Sequence, residues 1–259
     1  MANTVALKTG TPSVRDRVTA EEWQVRVDLA ACYRLVALHG WTDLIFTHLS
    51  ARVPGTDHNF LINPYGMLFD EITASSLVKV DLEGRIVMES DYNINPAGFT
   101  IHSAVHGARE DAHCVMHLHT DQGVAVSAQK HGLLPLSQTA MAIVEDIAYH
   151  DFEGIALNLD ERERLVHDIG DKNLMILRNH GTLAVGRTVP EAFLRMFWLE
   201  RACAMQVQAL SAGLENVHWA TDEARNTTAE QGRGIPALAN LAWSGLIRKL
   251  DRMDPSFRD

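Results

Sequence analysis

"AHCVMHLHTDQGVAVSAQKH", residues 112–131, changes its pattern half-way along. The apolar run 112–119 predicts a strand, and 121–131 predicts a helix. A strand passing into a helix is the building unit of an α/β protein. Side chains alternate between the faces of a strand, so His117 and His119 project to the same side, with ring nitrogens close enough to share one ion. Two such histidines also serve as ordinary polar residues at a strand mouth, and this stretch alone leaves both readings open.

The rest of the chain sets this unit in a larger pattern. The first 18 residues carry no hydrophobic period and read as a flexible lead. Order begins with a capping box of Thr19 and Glu22; Trp23, Val27, Ala30 and Leu35 follow at helical spacing, and Gly40 ends the helix. "DLIFTHLSARV" (43–53) and "HNFLINP" (58–64) read as strands, and "LVKVDLEGRIVME" (77–89) as a hairpin turning at Glu83-Gly84. A helix begins near Pro96, since proline is favoured in a first turn.

Beyond residue 131 the pattern predicts a short helix at 138–145, strands at 147–152 and 173–180 around a helix at 160–170, and a strand in "TLAVGR" (182–187). A second capping box, Thr188 with Glu191, starts a long helix to about Gly213. Residues 214–235 are polar and poor in periodicity, and "PALANLAWSGLIRKLDRM" (236–253) reads as a terminal helix. The expected organisation is a lead (1–18), one domain (19–213) and an extension with a terminal helix (214–259). Early hairpin-joined strands, then strands interleaved with helices, predict a mixed sheet with helices on its faces.

Composition narrows the function classes. The 259 residues are 46% hydrophobic and 22% charged, as in an ordinary globular protein. No stretch approaches the roughly 20 apolar residues of a membrane span. The N-terminus lacks the apolar core of a secretory signal, so a cytoplasmic location and no membrane partner are expected. Lys and Arg total 23 against 33 Asp and Glu, a balance unsuited to a nucleic-acid backbone. Cys32, Cys114 and Cys203 form no CxxC pair and read as buried thiols.

A third histidine bears on the first pair. In "LMILRNHGTLAVGR" (174–187), His180 ends another apolar strand between Asn179 and a glycine that permits a sharp turn. Were the two strands neighbours, His117, His119 and His180 would converge, and imidazole nitrogen suits Zn, Fe, Co or Ni. Three neutral ligands leave the ion's charge unreduced and a position open for a substrate oxygen.

"HLHT" (117–120), followed about 60 residues on by "RNHGTLAVGRTVPEAF" (178–193), resembles the class II aldolase/adducin superfamily. The likeness continues through "THLSARVPG" (47–55), "FLINPYGMLFDEITASSLVKVDLEG" (60–84) and "AYHDFEGIAL" (148–157). The resemblance implies a three-layer α/β/α domain with a central mixed, largely antiparallel sheet. It implies a tetramer with active sites at subunit contacts. It also implies one divalent ion held by His117, His119 and His180, zinc foremost, with Fe, Mn and Co as the others. In the family's sugar-phosphate aldolases the ion stabilises the enediolate formed when a carbon–carbon bond breaks.

This chain also departs from that pattern. Those aldolases carry an acid/base glutamate 19 residues before the first ligand, and here that position is Gly98. The phosphate-holding serines align with Pro96 and Ala97, and the usual "TG" turn is Tyr65-Gly66, so an unphosphorylated substrate is expected. The wording "NPAGFTIHSAVH" (95–106) is closer to the adducin head and its bacterial relatives. His102, which shares a helix face with His106, and Tyr149 and Glu145, from the region of an interfacial tyrosine, are the candidates to move protons. The substrate-binding candidates are His48, Ser50, Arg52, Tyr65 and Gly66, with Arg52 suited to a carboxylate.

Three functions follow. The first is a metal-dependent carbon–carbon lyase, or related carbonyl enzyme, acting on a small hydroxy or oxo acid. The second is a non-haem Fe(II) oxygenase for an aromatic or oxo-acid substrate. The third is a non-catalytic assembly module like the adducin head, which the chain's end at Asp259 and its three histidines disfavour. The lyase is the favoured expectation, acting as a homotetramer, and the apolar "IPALANLAWSGLIRKL" (235–250) is a candidate contact surface.

Overall fold

The computed structural model describes residues 13–154 and 160–259. Thr19 caps α1 (Ala20–Leu38) by accepting the Glu22 amide, as its capping box predicts, and Gly40 leaves the helix at φ 69°. The strands are β1 (His48–Arg52), β2 (Phe60–Ile62), β3 (Val78–Val80), β4 (Cys114–Leu118), β5 (Ile147–His150), β6 (Leu174–Leu177) and β7 (Gly181–Gly186). Between them run α2 (Pro96–Ala108), α3 (Asp121–Ser127), α4 (Gln138–Ile143) and α5 (Glu161–Ile169). The chain continues through α6 (Val189–Leu210), α7 (Asp222–Gly232) and α8 (Ala239–Met253).

Among the described residues the strands form one sheet in the order β3-β2-β1-β4-β7-β6-β5. Every pairing is antiparallel except β5 with β6. Alternation divides the strand residues between the two faces of the sheet. Leu49, Ala51, Cys114, Met116, Leu118 and Ile176 face α1 and α6, with Trp243 and Leu250 of α8 closing that layer. Val115, Leu183, Val185, Met175 and Leu177 face Ile101 and Val105 of α2 and Leu165 and Ile169 of α5. The result is the three-layer α/β/α arrangement.

The structure corrects several expectations. Residues 43–47 are not strand: they form a tight loop closed by a bridge between Asp43 and Phe46, with Leu44 and Thr47 at positive φ. The hairpin at Glu83-Gly84 pairs only through Val80 and Ile86, because Asp81 accepts the amides of Glu83 and Arg85 and closes the turn on itself. The polar segment 214–235 contains α7, capped by Thr221. Only Ala229 and Gly232 of that helix are buried, and Gly232 lies against the Ala142 backbone of α4, so its apolar signal is too thin to show a period. Of the expected lead, Val14–Arg17 form a 3-10 turn capped by Ser13, and residues 1–12 lie outside the described residues. No described helix is long and apolar enough to cross a membrane.

Candidate metal centre

β1, β4 and β7 lie side by side in the middle of the sheet, and the site is built at one end of them. His48 pairs with His117 across β1 and β4, and His117 pairs with Leu183 across β4 and β7. Cross-strand partners share a face, so His48 and His117 both project toward α2. His119 follows one residue beyond β4. His180 sits in the turn between β6 and β7, where Asn179 takes φ 56°. Gly181 is required there: a Cβ on it would run into the Leu118 carbonyl and crowd the His119 ring.

The three histidines predicted from spacing therefore meet, with one ligand nitrogen of each lying within 4.8 Å of the others. The ring centroids are 4.7 Å apart for His117 and His119 and 4.8 Å for each of them with His180. Nδ1 of His117 lies 3.0 Å from the Thr182 carbonyl, and Nδ1 of His119 lies 3.1 Å from Oδ2 of Asp43. Both partners accept, so each Nδ1 donates and each Nε2 is turned toward the space between the rings. Those two Nε2 atoms are 3.0 Å apart. Burial first, then the neighbouring imidazoles, push His117 well below the usual histidine range, and His180 is lowered to about 4 by burial, His119 and His150. Three converging imidazole nitrogens fit a divalent cation, with Thr182 and Asp43 orienting two of the rings as partners of ligand histidines do.

A cavity of about 330 Å³ opens over the triad, walled by Phe46, Ile101 and Phe152 and floored by His117, His119 and His180. His48, Asp43, Thr47 and Asn95 also line it, and no lysine or arginine does among the described residues.

The other predicted site residues are distributed differently. His48 reaches the cavity, whereas Ser50 is buried beneath it, its Oγ 2.6 Å from Nδ1 of His102 and 2.7 Å from Nε2 of His106. Nδ1 of His106 donates to the Ala112 carbonyl at 2.8 Å, so His102, Ser50 and His106 form a buried polar chain behind the site. Burial holds His106 down at about 3 and His102 well below its usual value. Ser50 binds side chains, where a substrate contact was expected.

Arg52 is likewise committed. Its guanidinium donates to the carbonyls of His106 and Arg109 at the C-terminus of α2 and pairs with Glu110 at 3.2 Å, so it caps a helix and does not line the cavity described. Tyr65 is exposed and Gly66 takes φ 103° in a turn; neither lines the cavity. Tyr149 packs against the core on the α6 side of the sheet, away from the triad, with its hydroxyl accepting the Leu133 amide at 3.0 Å and Arg178 over its ring. Glu145 is at the surface, 3.5 Å from Arg233, and lines a different cavity. Within one chain, then, neither Tyr149 nor Glu145 meets the histidines.

Three supports escaped the sequence reading. Asp43 lies in the loop taken for strand, and the Thr182 contact is made by backbone. The third is Glu200 of α6, a buried carboxyl that accepts hydrogen bonds from Thr120 and, at 2.6 Å, from Thr182. It ties together the strand ends that carry His119 and His180, and burial raises its pKa. A capping-box helix predicts no inward acid, so no local signal marked it.

The description of the matching family model is the class II aldolase and adducin N-terminal domain, over residues 27–207. A Caulobacter vibrioides protein named for the class 2 aldolases is 64% identical over 250 residues, covering 96% of this chain and 97% of that one. Mouse alpha-adducin is 43% identical across 88% of this chain, which spans 33% of the adducin. An aldolase II superfamily protein from Pseudomonas syringae superposes with TM-score 0.93 at 53% identity, over 95% of this chain and 99% of that one. An L-fuculose 1-phosphate aldolase from Glaciozyma antarctica gives TM-score 0.81 at 26% identity, over 93% and 94%.

Proposed function

Because the chain belongs to the class II aldolase and adducin family, we propose that it is a metal-dependent carbon–carbon lyase, or an enzyme of closely related carbonyl chemistry, acting on a small unphosphorylated hydroxy or oxo acid. The observation that carries this reading is the pair of Nε2 atoms of His117 and His119, 3.0 Å apart with both Nδ1 atoms already committed as donors. Two ring nitrogens so placed need either a shared proton or a metal cation between them, and the nearby His180 favours the metal. His117, His119 and His180 would hold that ion, with zinc, which takes imidazole at about 2.0–2.1 Å, the foremost candidate. A divalent ion on three neutral ligands supplies a Lewis acid that stabilises negative charge growing on a substrate oxygen.

The chain's own residues do the rest. Asp43 and the Thr182 carbonyl hold two imidazoles in orientation. Phe46, Ile101 and Phe152 give the space over the triad apolar walls, with Phe46 and Phe152 at its open rim. A lining without lysine or arginine among the described residues suits a substrate whose negative charge goes to the ion rather than to a phosphate clamp. We also read the protein as a homo-oligomer, a tetramer as in the resemblance, with Leu238 and Leu241 of the C-terminal region left exposed in the single chain.

Metal analysis of protein purified without chelator tests the reading, followed by an assay for cleavage of unphosphorylated hydroxy-oxo acids. Zinc at about one equivalent, lost on changing His119 to alanine, together with metal-dependent cleavage, is the expected result. Iron with substrate-dependent oxygen uptake would select an oxygenase, and no bound metal would select an assembly module. Light scattering gives the oligomeric state.

A further inference from the structure

Gly98, near the start of α2, faces His48 so closely that a Cβ added there would meet Nδ1, Cε1 and Cγ of the imidazole at less than 3.0 Å. The ring occupies the volume that any side chain at position 98 would need. It is 5% exposed, and neither Nδ1 nor Nε2 has a partner among the described residues. A buried polar group without a partner is costly and infrequent. Its neighbours do not relieve it: the His102 ring stands edge-on at 5.9 Å and is already bound to Ser50, while His117 and His119 are oriented by Thr182 and Asp43. The residue before it, Thr47, is β-branched yet held at φ 66°, and its buried Oγ1 also lacks a partner among the described residues. Such strain collects where a structure holds a side chain for use.

We propose that His48 is the residue through which the cavity grips its ligand, hydrogen bonding the hydroxyl or carbonyl oxygen of a small chelating acid from the space that Gly98 leaves open. The inference rests on the metal reading above. A neutral imidazole offers one donor and one acceptor, the pair that a hydroxyl group complements. The acid's carboxylate goes to the ion; its second oxygen goes to His48. His48 and Gly98 therefore act as one unit, and filling position 98 expels the ring from its place.

The experiment is calorimetric titration of glycolate into the zinc-loaded protein and into zinc-loaded His48→Gln, His48→Phe, Gly98→Ala and His48→Phe/Gly98→Ala variants, with zinc content measured first. Wild-type protein should bind glycolate. His48→Phe, which keeps bulk and loses both nitrogens, should bind it about tenfold more weakly at unchanged zinc content, whereas His48→Gln should stay within a few-fold of wild type. Gly98→Ala should show a similar loss, and the double variant should be no weaker than His48→Phe alone. Retained affinity in His48→Phe, or no glycolate binding by zinc-loaded wild-type protein, overturns the proposal while the metal reading stands. Failure of wild-type protein to hold zinc overturns both. Should Gly98→Ala not fold, the two His48 variants decide the question.

Discussion

His117 and His119 face each other through Nε2 atoms 3.0 Å apart, while their Nδ1 atoms are held by the Thr182 carbonyl and the Asp43 carboxylate. Ligand geometry is thus set from behind, by groups that do not touch the ion's place. Asp43→Ala should leave the fold intact and weaken metal binding by about 10- to 100-fold, the range typical for loss of an orienting partner. Competition with a chromophoric chelator reads this directly, and unchanged affinity would remove Asp43 from the site.

The buried histidines make a second expectation. His106 is held down at about 3 by burial, against an ordinary value of 6.5, so it stays neutral in the folded chain while the unfolded chain takes up a proton. Stability should therefore fall as pH drops from about 6.5 toward about 3, with a slope on the order of 1.4 kcal/mol per pH unit for each histidine kept neutral. Above that window the contribution is pH-independent. Urea unfolding of metal-free protein between pH 7 and pH 4 measures it, and His106→Gln, which loses this titration, should flatten the profile.

How much of this was readable from residues alone follows from where each signal resides. The HxH pair was legible because a period of two assigns faces without knowledge of the fold, and the Asn-His-Gly turn because glycine marks close backbone approach. Arg52 was misread: an arginine at a strand end looks free until α2 brings the His106 and Arg109 carbonyls to it. Asp43 and Glu200 were missed because Asp43 meets His119 across 76 residues and Glu200 meets Thr120 and Thr182 across 80 and 18, and no local pattern encodes such meetings. Helix α7 was missed because it is held by a cap and by contact with α4, with little apolar face of its own.

Arg26 is fully buried on α1, 3.0 Å from Glu22 one turn earlier, and donates to the Ala74 and Leu77 carbonyls at 3.2 and 2.9 Å. Lys79 reaches the other Glu22 oxygen at 2.8 Å. Glu22→Ala would strand a buried guanidinium and should cost about 3–5 kcal/mol, seen as a large fall in the urea midpoint. A loss below about 1 kcal/mol, the worth of a surface pair, would mean that water reaches Arg26.

Tyr149 gives a test of what a neighbouring subunit contributes. In the single chain its hydroxyl accepts the Leu133 amide on the α6 side of the sheet, so Tyr149→Phe should cost about 1 kcal/mol in stability and leave metal content unchanged. Turnover should stay within a few-fold. A tenfold or greater loss of turnover at full metal content would instead place this residue at the triad of an adjacent copy.

The cavity's charge bears on substrate choice. A phosphate monoester brings nearly two negative charges, and proteins meet them with arginine, lysine or backbone amides at a helix N-terminus. Here the lining residues supply Asp43 but no cationic side chain among those described, the arginine nearest in sequence to His48, Arg52, is held at the end of α2, and the start of α2 at Asn95 and Gly98 is the one helix N-terminus among the described lining. L-fuculose 1-phosphate, the substrate named for the Glaciozyma antarctica protein, should therefore be cleaved slowly or not at all, despite the shared fold. Unphosphorylated hydroxy acids should compete for the zinc-loaded site, and inorganic phosphate should not. A coupled assay for lactaldehyde release measures the cleavage, and turnover at the 1–1000 per second usual for enzymes would contradict both the charge argument and the reading of an unphosphorylated substrate.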